Sequence, residues 1–341
     1  MSPQRPQGAP RFSTAEFAAG VLSGNRAMLA QAITLVESNA RAHEQQAQEL
    51  LNSLLPHTGK AKRIGVTGVS GVGKSTFIDA FGCYLVETAH TLAVLTIDPT
   101  SARSGGSILG DKTRMDRLCQ LPGAFIRPSP SGEGFGGVAR RTRETMLLCE
   151  AAGFDTIVVE TVGAGQSEIT LRSMVDVFVL LLLPGAGDEL QSIKKGIVEM
   201  ADLILINKAE GENRLRAELA RTHQDAVLHY LQPATPGWRT PTLLVSGLTG
   251  LGIPDAWQFI EQFHASMEPC GAIAARRRQQ TLEWLAALIH DELRCRFHDD
   301  PRVAAKMPEL QMALLSGGMT AVSAARILLE LHNTPPGTHT P

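Results

Sequence analysis

The sequence predicts an α/β fold, a mostly parallel, doubly wound sheet of P-loop NTPase type, and three observations carry that prediction. Seven short apolar runs, RIGVTG (63–68), LAVLTID (92–98), AFIRP (124–128), FDTIVVE (154–160), VDVFVLLLL (175–183), ADLILIN (201–207) and TPTLLVS (240–246), alternate with stretches of helical spacing. The runs are apolar almost throughout, the pattern of strands covered by helices on both faces. The first run passes into GVTGVSGVGKST. Gly68, Gly73, Lys74 and Ser75 there have the spacing GxxxxGK followed by Ser or Thr, ahead of the helical stretch FIDAFGCYLVE.

The elements follow in order. Residues 1–12 are rich in Pro and Gly and are expected to be disordered. Residues 13–60 form an N-terminal helical extension, with Leu29, Ile33 and Val36, then Leu51, Leu54 and Leu55, at helical spacing. Residues 61–268 hold the seven strands and form the nucleotide-binding domain. Residues 269–334 form a C-terminal helical arm: Leu282, Leu285, Ile289, Leu293 and Phe297 make one stripe. A second helix begins near Thr320, after Gly317-Gly318, with Val322, Ile327, Leu328 and Leu331. Either both stripes pack on the domain, or the last helix is an arm that buries its stripe against a second subunit. Residues 335–341 are too Pro-rich to pack.

Composition narrows the partners. With 43% apolar residues the chain can bury one sizeable core with appendages or two small ones. A net charge of −2 and a pI near 6.6 give no overall basicity for nucleic acid or a membrane surface. The run Arg276-Arg277-Arg278 is expected to be a solvated helix start. Cys83, Cys119, Cys149, Cys270 and Cys295 are scattered, as reduced structural thiols would be. The N-terminus lacks a signal-type apolar run, and the longest apolar run, 177–183, is far shorter than the ~20 residues of a membrane span. A soluble, cytoplasmic protein is expected.

The Gly-rich turn points to a triphosphate. Backbone N–H groups from Gly71, Val72, Gly73 and Lys74 can turn toward phosphates, aided by the positive end of the next helix. Lys74 then reaches the β- and γ-phosphates, Ser75 offers a hydroxyl to Mg²⁺, and Thr76 can meet the α-phosphate. Such a site needs a carboxylate on a neighbouring strand tip and a backbone N–H for the γ-phosphate. Glu160 and Gly163 in FDTIVVETVGAGQSE supply both, with the spacing of Asp-x-x-Gly and Glu for Asp. Asp98 ends LAVLTID and is either a metal-site acid or a helix cap. The loop after it, with Asp111, is a switch candidate, although residue type alone leaves Asp111 a loop acid. In LPGAGDELQSIKKG, composition alone describes a solvated helix start.

The base site is read from LILINKAEGEN (203–213). Guanine presents N1–H and a 2-amino group, two donors that one carboxylate can accept, whereas adenine presents a lone pair. Asn207 would hold the base edge and local backbone, the Lys208 stem would lie on the purine face, and Glu210 would accept the two donors. Glu210 carries one methylene more than the Asp usual in Asn-Lys-x-Asp, which loosens the expected selectivity. Ser246-Gly247 ends the last strand, where a backbone N–H can meet the guanine carbonyl oxygen.

Together AITLVES, GVSGVGKST, GGSILGDKTRM, FIRPSPS, TRETMLLCEAAGFD, VETVGAGQSE, LPGAGDELQSIKKGIVE and NKAEGEN closely resemble the methylmalonyl-CoA mutase-associated GTPase family. These are the MeaB-type chaperones, also called ArgK-like, related to the human methylmalonic aciduria type A protein. The resemblance spans about the first 250 residues and is looser in the arm. It implies a homodimeric G domain that binds GTP or GDP with Mg²⁺ and docks on an adenosylcobalamin-dependent acyl-CoA mutase. There it would gate cofactor loading, eject damaged cofactor and protect the mutase, with the adenosyltransferase a further candidate partner. By the same resemblance Ser75, Asp98, Asp111 and Glu160 become metal-site residues. Gln191 and Lys194 then lie in a third switch, residues 185–195, that senses the mutase and approaches the nucleotide. The departures are Ser70, Ala164, Ser192, Glu210 and Gly247, none of which removes a phosphate or metal ligand.

Slow intrinsic hydrolysis is expected, since no arginine finger is evident, with Lys194 the added cation when the partner binds. Three rivals stay open: a nickel or cobalt insertion GTPase, although the ten His form no tract; an ArgK-like ATPase or kinase tied to amino-acid uptake, which NKAE opposes; and a scaffold that binds GTP without turnover.

Overall fold

Each apolar run becomes a strand. The computed structural model describes residues 12–38, 40–97, 115–128, 137–161, 167–185 and 195–334. The strands are β1 (Lys62–Gly68), β2 (Leu92–Ile97), β3 (Ala124–Arg127), β4 (Thr156–Thr161), β5 (Val177–Leu182), β6 (Leu203–Ile206) and β7 (Thr242–Leu244). They form one sheet in the order β3-β2-β4-β1-β5-β6-β7. Every pairing is parallel, so the expected mostly parallel sheet is wholly so. Parallel pairing demands crossovers, and the helices between the strands provide them.

Alternate residues of each strand feed two cores. Ile157, Val159, Phe178, Leu180, Ile204 and Ile206 join one face, while Ile64, Val66, Val158, Val179, Leu181 and Leu205 join the other. The N-terminal helices α1 (Thr14–Leu22), α2 (Arg26–Val36) and α3 (Arg41–Leu54) belong to the first core through Val21, Leu29, Ile33, Leu50 and Leu54. They cover the sheet with α5 (Gly137–Ala151), so the extension is an integral layer of the domain. Ser13 caps α1 in a reciprocal capping box with Glu16. The second core is closed by α4 (Lys74–Glu87) and the later helix Ile253–Met267, where Phe77 stacks on Phe81 at 5.4 Å and Phe81 meets Trp257 edge-on at 6.0 Å.

The remaining helices are α6 (Ser167–Arg172), α7 (Lys195–Glu199), α8 (Arg214–His229), α9 (Ile253–Met267), α10 (Ala272–Asp299), α11 (Pro301–Leu315) and α12 (Ala321–Asn333). Among the described residues, no helix is long and apolar enough to cross a membrane.

The arginine run at the start of α10 is not simply a solvated helix start. Arg277 forms two bonds to Asp176, Nε to Oδ1 at 2.8 Å and a terminal nitrogen to Oδ2 at 2.6 Å, and Arg63 N–H donates to the same Oδ2 at 2.9 Å. Arg276 and Arg172 both approach Oδ2 of Asp202, at 3.4 and 2.8 Å, and Phe178 N–H donates to it at 2.9 Å. Asp176 and Asp202 immediately precede β5 and β6 and are fully buried; only Arg278 of the run is exposed. Two buried carboxylates at the strand feet need cations, and the helix start delivers them.

The chain divides into two compact units, residues 1–281 and 282–341. Within the smaller unit Val303 and Leu310 of α11 pack on Ala324 and Leu328 of α12, which begins where the sequence places it and is capped by Thr320. In the single chain Leu282, Leu285, Ile289 and Leu293 of α10 are between 52% and 62% exposed.

Candidate functional site: the nucleotide crevice at the C-terminal edge of the sheet

Because all strands run the same way, β1, β4, β6 and β7 deliver their C-terminal ends to one edge, and β1 sits centrally between β4 and β5. From β1 the chain passes to β2 on one flank and later crosses to β5 on the other, the switch point where doubly wound sheets bind ligands. The loop from β1 to α4 closes there. Gly73 caps α4 with φ 93°, a left-handed conformation that suits Gly, and a Cβ on it would lie 2.8 Å from Nδ2 of Asn207.

Lys74 is the first residue of α4 and only 8% exposed. Its Nζ donates to the carbonyls of Gly68 at 2.8 Å and Val69 at 3.1 Å, which hold the ammonium beneath the loop at the positive end of a 14-residue helix. Ser75 follows and its hydroxyl donates to Oε1 of buried Glu160 at 3.0 Å. One position along, the hydroxyls of Thr67 and Thr161 meet at 2.8 Å and fix the tips of β1 and β4 together. Thr76 lies in the same first turn of α4.

A hydroxyl at the head of α4 and a carboxylate at the tip of β4 are hard oxygen donors of the kind that hold Mg²⁺ alongside water and phosphate oxygens. Ser75 and Glu160 therefore fit such an ion. Among the described residues no three His, Cys, Asp or Glu side chains converge. Asp98, Asp111, Gly163, Gln191 and Lys194 lie outside the described residues.

The base loop is braced against the phosphate loop. Asn207 follows β6; its N–H donates to Leu182 O at 2.8 Å, its Nδ2 to Val72 O at 2.9 Å and Gly73 O at 3.4 Å, and its Oδ1 accepts Gly247 N–H at 3.2 Å. Lys208 has φ 60°, uncommon for a residue with a side chain, and its Nζ donates to Gly71 O at 2.9 Å. The sequence marks Asn207 and Lys208 as base readers. In the fold both tie the loop after β6 to residues 71–73, a role that spacing along the chain does not reveal. Glu210 keeps Oε2 out of solvent with no hydrogen bond among the described residues. Ser246 is buried, and its Oγ accepts Thr249 N–H at 3.0 Å, closing the turn that carries Gly247.

Comparison with known proteins agrees with this geometry. The family described as methylmalonyl Co-A mutase-associated GTPase MeaB matches residues 29–302. The chain is 53% identical over 309 residues to a putative GTPase of Caulobacter vibrioides, covering 91% of this chain and 94% of that one. It is 42% identical over 321 residues to the mitochondrial methylmalonic aciduria type A homolog of Mus musculus, covering 91% and 77%. A crystal structure described as a LAO/AO transport system kinase superposes with a TM-score of 0.77 at 36% identity, over 94% of this chain and 98% of that one. A parallel sheet with a phosphate loop on its central strand, a braced Asn-Lys loop beside it and relatives that are themselves called GTPases place this chain in the MeaB family of GTPases.

Proposed function

We propose that the chain hydrolyses GTP with Mg²⁺ in this crevice and, as a homodimer, acts as a chaperone of an adenosylcobalamin-dependent acyl-CoA mutase, most simply methylmalonyl-CoA mutase. The observation that carries the nucleotide reading is the brace from Asn207 and Lys208 to the carbonyls of residues 71–73, which sets base and phosphate contacts at a fixed separation before ligand arrives. The mutase reading is supported by the family match, whose description names that enzyme.

In this proposal the amides of residues 71–74 and the Lys74 ammonium take up charge on the β- and γ-phosphates. Ser75 and Glu160, with Asp98 and Asp111 as further acids, would hold Mg²⁺, which would supply positive charge to offset that developing on the phosphates. Glu160 also orients the attacking water, and Gly163 offers its N–H to the γ-phosphate. Thr76 meets the α-phosphate, Glu210 and a backbone N–H of the Ser246-Gly247 turn meet the guanine edge, and Gln191 and Lys194 carry the response to the mutase. Residues 269–334 form the arm that joins two copies, and residues 61–268 form the catalytic domain.

Phosphate release from GTP, measured with and without the mutase, tests the proposal. We expect slow turnover that rises on adding the mutase, and a Lys194→Ala variant that keeps the slow rate and loses the rise. Equal hydrolysis of ATP, or no response to a mutase that co-purifies, would overturn the respective half.

A further inference from the structure

Gly247 has no room for a side chain. A Cβ built on it would lie 2.8 Å from Phe77 N, 2.9 Å from Thr76 C and 3.0 Å from Phe77 Cα. All three are backbone atoms of the first turn of α4, itself locked by the bond from Phe77 N–H to Gly73 O at 2.9 Å. Ordinary contact begins near 3.4 Å, so an alanine here would push the loop back by at least 3.4 − 2.8 = 0.6 Å.

That loop cannot retreat by itself. Gly247 N–H is bonded to Asn207, Ala209 N–H to Val245 O at 3.1 Å, and Val245 N–H to Ile206 O at 2.9 Å, so the segments 207–210 and 245–247 form one hydrogen-bonded unit. Glu210 lies at the end of this unit. Its Oε2 is out of solvent and takes no hydrogen bond among the described residues, an arrangement that costs free energy until donors arrive.

We propose that Gly247 and Glu210 are a matched pair that sets where the base sits. Without a Cβ at 247 the turn that meets the purine's carbonyl edge packs directly on the first turn of α4 and draws the base farther from the backbone of residue 210. The extra methylene of glutamate then carries the carboxylate across to the N1–H and 2-amino donors. The inference rests on the guanine reading above and deepens it: the site takes guanine nucleotides through glutamate because glycine faces it.

A double-mutant cycle decides this. Wild type, E210D, G247A and E210D/G247A are titrated calorimetrically with GDP, IDP and ADP in the presence of Mg²⁺. Each single change is expected to weaken GDP binding about tenfold or more and the double change to recover most of it. A coupling of at least about tenfold corresponds to roughly 1.4 kcal/mol. Additive losses overturn the pairing. If G247A does not fold, E210D decides alone. Its preference for GDP over IDP, which lacks the 2-amino group, should fall at least about fivefold, and an unchanged preference overturns the proposal. Wild type binding ADP as tightly as GDP would instead remove the guanine reading itself, an outcome distinct from additivity.

Discussion

Lys74 shows how one residue can be placed before its ligand arrives. Its ammonium is buried under the loop and held by two carbonyls, and in the proposed site it would turn from those oxygens to phosphate oxygens. Lys74→Ala removes a charge that would pair directly with the nucleotide, and guanine-nucleotide binding should weaken by about 2–5 kcal/mol when measured by calorimetry. Unchanged affinity would refute its role. This part of the site was legible in the sequence because GVGKS is contiguous and its spacing states its geometry. Asn207 was only half legible. Its partners Val72 and Gly247 are 135 and 40 residues away, and only the parallel order of β1, β6 and β7 brings them together.

Among elements, the start of α10 is anchored by charge. Burial works to raise the pKa of Asp176, but the bonds from Arg277, the charges of Arg277 and Arg63 and the Arg63 N–H outweigh it and hold the carboxyl below the usual range. A depressed folded-state pKa stabilises above the unfolded value, about 4, and the contribution is lost as pH falls through the folded value. Asp176→Asn leaves Arg277 without its counter-charge in a mostly buried site and should cost about 3–5 kcal/mol at pH 7. Urea unfolding at pH 7 and at about pH 2.5, below the unfolded value, should show the variant losing less stability on acidification than wild type. The strands could be read from sequence because both faces are buried, leaving each run apolar. The arginine run could not, since the aspartates that claim it stand roughly 75 to 100 residues earlier. Helix α11 was also missed: Pro301 is tolerated at its first turn, but Pro308 lies within it, and an interior proline ordinarily argues against a helix.

For the whole molecule, the question is what covers α10. Leu282, Leu285, Ile289 and Leu293 recur at helical spacing and are exposed in the single chain, a stripe of the kind that marks an interface. Introducing L285E and L293E together should convert a dimer to a monomer in sedimentation equilibrium while leaving nucleotide binding within about twofold, since neither leucine belongs to the proposed nucleotide site. A wild-type monomer would remove the homodimer from the proposal. The N-terminal helices teach the same lesson from the other side. Their apolar spacing was plain in sequence, but their place in the sheet's own core depended on contacts with α5 that no local pattern announces.

The aromatic run from Phe77 through Phe81 to Trp257 also links the turn that would cradle phosphate to an indole in the opposite helix. Nucleotide arriving at the head of α4 is expected to reach this ring stack and change the emission of Trp257, one of the three tryptophans. Titrating GDP against wild type and W257F checks it, since the optical signal should vanish with the indole.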